Sequence, residues 1–144
     1  GDHTMSPTFH YLIMAEHSMF QKELLAKLKD SGLTIGQPKV LDYLKDHDGT
    51  SQKDIARGCH IEPGTLTTLL NRMEEAGLVE RRMMNGNRRS LYVFLTDKGK
   101  EQLELVTAAF SEMEAEAFRG LSETERKTFM DLFLRIYANT SRED

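Results

Sequence analysis

Six basic side chains, Arg81, Arg82, Arg88, Arg89, Lys98 and Lys100, lie between residues 81 and 100 against a single acid, Asp97. From Glu101 onward the balance reverses, with ten acids to five basic residues, and the whole chain carries a net charge of −4. A local cationic patch can neutralise phosphate while an acidic remainder keeps the protein soluble; scattered surface charge would give the same count. Arg88 and Arg89 follow Asn85-Gly86-Asn87, residue types that tolerate the positive φ of a hairpin turn. An arginine at the tip of a projecting ribbon suits a narrow minor groove of enhanced negative potential, or is simply a solvated turn charge. Upstream, Gly64, Thr65, Thr67, Thr68, Asn71 and Arg72 fall opposite an apolar stripe of Leu66, Leu69, Leu70 and Met73. Small residues there let a helix sink into a major groove. Threonine methyls can pack on thymine methyls, Arg72 can reach guanine or phosphate, and the helix N-terminus favours an anion. The candidate contacts to double-stranded DNA are therefore Gly64, Thr65, Thr67, Thr68, Asn71, Arg72, Arg81, Arg88 and Arg89.

Other chemistries find less support. The chain has no phosphate-cradling glycine loop, no HExxH, no G-x-S-x-G and no paired acid set off from its surroundings, so no catalytic residue, enzyme activity or cofactor is expected. His10 and His17 lie two turns apart, Cys59 and His60 are adjacent, and the helix after the hairpin has no histidine; no metal site is expected. Cys59 is the lone cysteine, which excludes an internal disulfide framework and points to a reducing cytoplasm. It could serve as a thiol trigger, but it falls on the inward face of its helix, where a free cysteine behaves as a small hydrophobe.

The elements that must position these residues are legible in the periodicity. Phe9 to Lys29 repeats apolar residues at Phe9, Leu12, Ile13, Phe20, Leu24, Leu25 and Leu28, giving a long helix with Gly32 where a C-cap is expected. Tyr11, Met14 and Met19 widen that stripe, for a thick internal core or a subunit interface. Thr34 and Gln37 at capping-box spacing open a second helix with Val40, Leu41 and Leu44 inward and Pro38 in its first turn. Thr50 or Ser51 caps a third, with Ile55, Ala56 and Cys59 inward; Gly58 is expected to close it, and Pro63 to start the next. That is a helix-turn-helix. Gly77 ends the fourth helix, a strand starts at Leu78 to Met84, and Leu91, Val93 and Leu95 alternate with Ser90, Tyr92 and Phe94 in its partner. Thr96 caps a helix running to Phe118, Gly120-Leu121 breaks it, and Ser122 to Glu125 is a capping box leading into Phe129, Leu132, Phe133, Ile136 and Tyr137.

The expected fold is mainly α with a small β-wing, a winged helix-turn-helix core flanked by dimerisation helices. Residues 33–99 form the DNA-binding domain and residues 6–32 with 100–144 the helical dimerisation region. At 144 residues the chain is long enough for a real core. It has no apolar run of membrane-spanning length and no signal-peptide pattern, so a cytoplasmic protein without a membrane partner is expected. Residues 1–5 read as a cloning remnant with a native start at Met5.

From about Thr8 onward the chain resembles the MarR family of bacterial regulators. The resemblance is carried by Leu33-Thr34 through Gln37, Val40-Leu41, Gln52-Lys53-Asp54-Ile55-Ala56 and Gly64-Thr65-Leu66-Thr67, then by Arg72 through Val79. Most specific are Asn87-Arg88-Arg89-Ser90 and Leu95-Thr96-Asp97-Lys98-Gly99. The resemblance implies a homodimer built from the first and last two helices, each recognition helix and wing gripping one half-site of a pseudo-palindromic operator. It implies a ligand-responsive repressor, with a cleft beside the dimer helices for a small aromatic or phenolic effector. His10, Tyr11, Met14 and His17 are the candidate lining. The family's wing motif is Asp-X-Arg; position 89 keeps the arginine, whereas position 87 is Asn, so the ion pair that braces the wing is absent. Two alternatives stand beside this expectation: a winged-helix module that docks protein, and a thiol-responsive regulator using Cys59.

Overall fold

The computed structural model describes residues 6–84, 86 and 90–141. Among these, six helices and a two-stranded antiparallel sheet follow in the order α1 (Phe9–Lys27), α2 (Gln37–His47), α3 (Gln52–Cys59), α4 (Pro63–Glu75), β1 (Val79–Met83), β2 (Leu91–Leu95), α5 (Asp97–Ala117) and α6 (Glu123–Thr140). The chain divides into two compact units, residues 1–111 and 112–144.

In the first unit one apolar core joins Val40, Leu41 and Leu44 of α2, Ile55, Ala56 and Cys59 of α3, and Leu66, Leu70 and Met73 of α4. Val79 and Val93 of the sheet and Leu103, Val106 and Ala109 of α5 complete it. Leu69, expected in the α4 stripe, is only half-buried. The sheet pairs Val79 with Leu95 and Met83 with Leu91, so Arg81 lies opposite Val93. A third edge escaped the sequence. Gly49 N–H donates to the Val93 carbonyl at 2.8 Å, Val93 N–H donates to the Thr50 carbonyl at 2.9 Å, and Ser51 bridges Tyr92. The Leu95 N–H donates to the Asp48 carboxylate at 2.8 Å. The hairpin is thereby tied along its second edge to the segment before α3, which answers how so short a ribbon persists.

Helix ends follow local chemistry, with three departures. Helix α1 starts at the Thr8 N-cap, whose hydroxyl accepts the Tyr11 N–H, but stops at Lys27. Ser31 hydroxyl donates to the Leu28 carbonyl and accepts the Leu33 N–H, so the chain turns before Gly32, whose positive φ serves that turn and not a C-cap. Helix α2 begins at Gln37 because Gly36, at φ +91°, is left-handed. Only half of the Thr34/Gln37 box forms, Gln37 Oε1 accepting the Thr34 N–H at 3.0 Å. Gly58 does not close α3. It sits inside the helix where a Cβ would run into the Tyr43 ring, and His60 takes the left-handed position instead, at φ 55°. Ser51 is the α3 N-cap, accepting the Asp54 N–H, and Pro63 opens α4 as expected. Thr96 Oγ1 accepts the Gly99 N–H at 3.0 Å at the start of α5.

In the second unit Ser122 and Glu125 form the full capping box of α6. Phe129 meets Phe118 edge-on at 5.8 Å and Phe133 at 5.3 Å, and Arg126 lies over the Phe118 ring and pairs with Glu114 at 3.2 Å. No residue of α6 is buried, nor any of α1 in the first unit.

Candidate nucleic-acid interface

Helix α4 turns its stripe of Leu66, Leu70 and Met73 into the core, which leaves Gly64, Thr65, Thr67, Thr68, Asn71 and Arg72 together on the exposed face. The hydrogen bonding on that face fixes what each can offer. Thr67 hydroxyl donates to the Pro63 carbonyl at 3.0 Å and accepts from the Gln52 amide at 2.9 Å; Thr68 hydroxyl donates to the Gly64 carbonyl at 3.3 Å. With their O–H groups turned back on the helix, these threonines present a methyl and an acceptor oxygen, not a donor. Gly64 has open space where a side chain would stand, and Thr65 and Arg72 are exposed.

The basic residues are less uniform than their count implied. Arg81 is turned onto α4. Its Nη2 donates to Glu74 Oε1 at 2.7 Å and to Asn71 Oδ1 at 2.6 Å, its Nε donates to Glu74 Oε1 at 3.2 Å, and its backbone N–H donates to Glu74 Oε2 at 3.3 Å. Its side chain is only 14% exposed, and the hydrogen bonds from Arg81 hold the Glu74 carboxyl below its ordinary range, against a smaller opposing effect of burial. Asn71, with its carbonyl engaged, keeps an N–H₂ donor. Arg82 pairs with Glu80 at 2.8 Å and covers the Phe94 ring, and Lys98 Nζ donates to the Ala76 carbonyl at the end of α4. Arg88, Arg89 and Asn87 lie outside the described residues. Sequence reasoning missed Gln52 and Glu74, whose contacts with Thr67 and Arg81 join residues 15 and 7 apart on different elements. No local spacing announces them.

A cleft of about 320 Å³ opens between α3, α4 and the start of β2, lined by Gln52, Lys53, Pro63, Thr67, Ser90 and Leu91 among others. A second, of about 230 Å³, lies between α1, the start of α2 and α5, with His17, Phe20, Leu24, Ile35, Lys39 and Phe110 on its walls. Of the expected effector residues only His17 lines it. His10, Tyr11 and Met14 are exposed on the N-terminal half of α1, whereas the cleft forms beside the later turns, from His17 to Leu25. Among the described residues no group of three or more His, Cys, Asp or Glu could hold a metal ion, and no helix is long and apolar enough to cross a membrane.

Residues 33–91 match the model of the MarR family. The chain is 31% identical over 111 residues to the HTH-type transcriptional repressor MdtR of Bacillus subtilis, an alignment covering 75% of this chain and 72% of MdtR. The chain belongs to the MarR family.

The likeness to MarR-family structures extends past the wing domain. The S. aureus MepR–DNA complex superposes with a TM-score of 0.86 at 26% identity, over 94% of this chain and 99% of that one. The crystal structure of MarR gives 0.83 at 25% identity, over 97% and 95%. The winged-helix fold class expected from periodicity therefore holds, and the chain is a MarR-family transcriptional regulator, a family of regulators and not of enzymes. The matched segment ends at Leu91, so it spans α2 to α4, β1 and the turn, the elements that carry every candidate DNA contact.

Proposed function

We propose that this MarR-family regulator binds double-stranded DNA sequence-specifically as a homodimer and acts as a ligand-responsive repressor in the cytoplasm. The observation that carries the proposal is the exposed face of α4, small residues with one arginine, set beside an arginine-bearing hairpin in a chain that superposes on MepR solved with DNA. Gly64, Thr65, Thr67 and Thr68 face the major groove, the threonines offering methyls to thymine and acceptor oxygens to the amino groups of adenine or cytosine. Asn71 adds a donor, Arg72 reaches guanine or phosphate, and Arg88 and Arg89 reach the minor groove. Arg81, engaged by Glu74 and Asn71, is assigned to support of the interface in place of direct contact. The dimer is built from residues 6–32 and 100–144, whose helices α1 and α6 leave Phe9, Leu12, Ile13, Leu132, Leu134 and Ile136 exposed in the single chain. The cleft beside α1 suits a small aromatic effector, with Phe20 and Phe110 as walls and Lys39 to meet a phenolate or carboxylate.

Selection of duplexes from a random pool tests the proposal. The expected product is a pseudo-palindrome with half-sites about 10 bp apart, bound with a steep loss of affinity as salt rises. Absence of any duplex binding at low salt, where even non-specific association is measurable, would sink it and favour the protein-docking alternative. A thermal-shift series with phenolic and aromatic acids tests the effector: a stabilising compound should also lower operator affinity.

A further inference from the structure

We propose that Arg81, Glu74 and Asn71 are positioning residues that set the hairpin at a fixed angle to α4, so that major-groove and minor-groove contacts fall in register. The inference rests on α4 and the hairpin being the DNA-contacting elements, as argued above. One carboxylate grips β1 twice: Glu74 Oε2 takes the Arg81 backbone N–H at 3.3 Å and Oε1 takes its guanidinium at 2.7 Å. The same guanidinium nitrogen reaches one helical turn back along α4 to Asn71 at 2.6 Å. A planar guanidinium held by two acceptors on one helix has little rotational freedom, unlike an ammonium on a flexible stem. The strand it belongs to is equally constrained. Arg81 pairs with Val93, the residue whose backbone is tied on its other side to Gly49 and Thr50. The clamp thus stands at the middle of β1, between the α4 face that reads bases and the chain segment that leads on to Arg88 and Arg89. A carboxylate on a surface meant for phosphates is electrostatically adverse; fixing the hairpin accounts for its place there.

That conflict of roles gives a test in which charge and geometry have opposite signs. Wild type, Glu74→Ala, Glu74→Gln and the exchange Glu74→Arg with Arg81→Glu are titrated against a site selected by wild type and against a random duplex at low salt. Removing the carboxylate should tighten random-duplex binding by about 2- to 5-fold, since a repulsive charge is lost and Arg81 is released toward phosphate. Binding to the selected site should weaken by about 10-fold, because the hairpin no longer meets its groove in register. Glu74→Gln, which keeps an acceptor, should lose less, and the exchanged pair should recover part of the lost discrimination. Hydrogen–deuterium exchange without DNA should show faster β1 and β2 amides in Glu74→Ala while α2 amides are unchanged. Equal shifts for both duplexes together with unchanged hairpin exchange would overturn the proposal. Arg81→Met weakening both duplexes alike, with no recovery in the exchanged pair, would make Arg81 a plain phosphate contact and also overturn it. Failure of wild type to select any sequence would remove the DNA-binding reading, while hairpin exchange would still report on the clamp. Should Glu74→Ala unfold, Glu74→Gln carries both readouts.

Discussion

Cys59 shows how burial decides a residue's chemistry. It is 5% exposed, its Sγ lies 3.8 Å from the Lys39 carbonyl, and its thiol is pushed up to about 11, chiefly by burial, with Lys39 opposing and Asp42 adding to the rise. The thiolate is the reactive form, so at neutral pH the native protein should resist alkylation, and operator binding should survive mild peroxide. Rapid stoichiometric labelling of folded protein at pH 7.5 would revive the thiol-switch alternative. The raised value also has a sign. The folded state holds this proton more tightly than the unfolded chain, so the associated stability is intact below about pH 9 and is lost as pH climbs toward 11. Urea midpoints should fall between pH 9 and 11, and fall less in Cys59→Ala. At this scale the sequence placed Cys59 inward correctly, because helical spacing alone fixes that. It did not reveal the engagement of Arg81 by Glu74, because counting charges does not distinguish an exposed arginine from one folded onto a carboxylate of another element.

At the scale of elements, the joint between α4, β1 and α5 leaves no room for a side chain at Gly99. A Cβ on Gly99 would clash with the Leu78 carbonyl oxygen, a backbone atom and not the far end of a flexible side chain. Gly99→Ala should therefore destabilise by about 1–3 kcal/mol even though alanine favours helices, lowering the thermal midpoint by roughly 5–10 °C. An unchanged midpoint would mean that α5 can shift against the joint. Arg89→Ala should weaken the selected site by about 10-fold and reduce the salt slope by about one, mostly at A·T-rich flanks. Thr65→Ala or Thr68→Ala should change base preference instead; repeating the duplex selection with each variant separates the two outcomes. Helix boundaries at Ser51, Pro63, Thr96 and Ser122 were legible because capping is settled within three or four residues. The Gly49–Ser51 edge was not, since its sheet partners Tyr92 and Val93 lie on β2, more than 40 positions along the chain. The His60 corner was not either, because glycine is the usual left-handed residue and Gly58 stood two positions away.

At the scale of the molecule, α1 and α6 each expose a row of large apolar residues in the single chain, the kind of surface that marks a contact with another protein. A 16.5 kDa chain that sediments at twice that mass at micromolar concentration is the expected result. Leu132→Glu combined with Ile136→Glu should shift it toward monomer and abolish tight binding to a two-half-site duplex, while binding to random duplex persists. A dimer that survives both charges would place the subunit contact elsewhere. Periodicity revealed these stripes, but a stripe records only that something apolar must cover it. Whether the cover is the same chain or its copy is a matter of tertiary geometry, which spacing does not encode.

The ties between β2 and the segment before α3 also bear on how the chain opens and closes. The Asp48–Leu95 and Thr50–Val93 hydrogen bonds join residues more than 40 positions apart, Asp48 and Leu95 being 47 apart, and the loop they close contains all of α3 and α4. Local fraying there would have to break a sheet as well as a helix. The amides of α4 should therefore exchange only through the global unfolding event, with the same urea dependence as the core, and not through a cheaper partial opening. A chain whose α4 lies inside such a loop forms that helix's final contacts late, after distant segments have met.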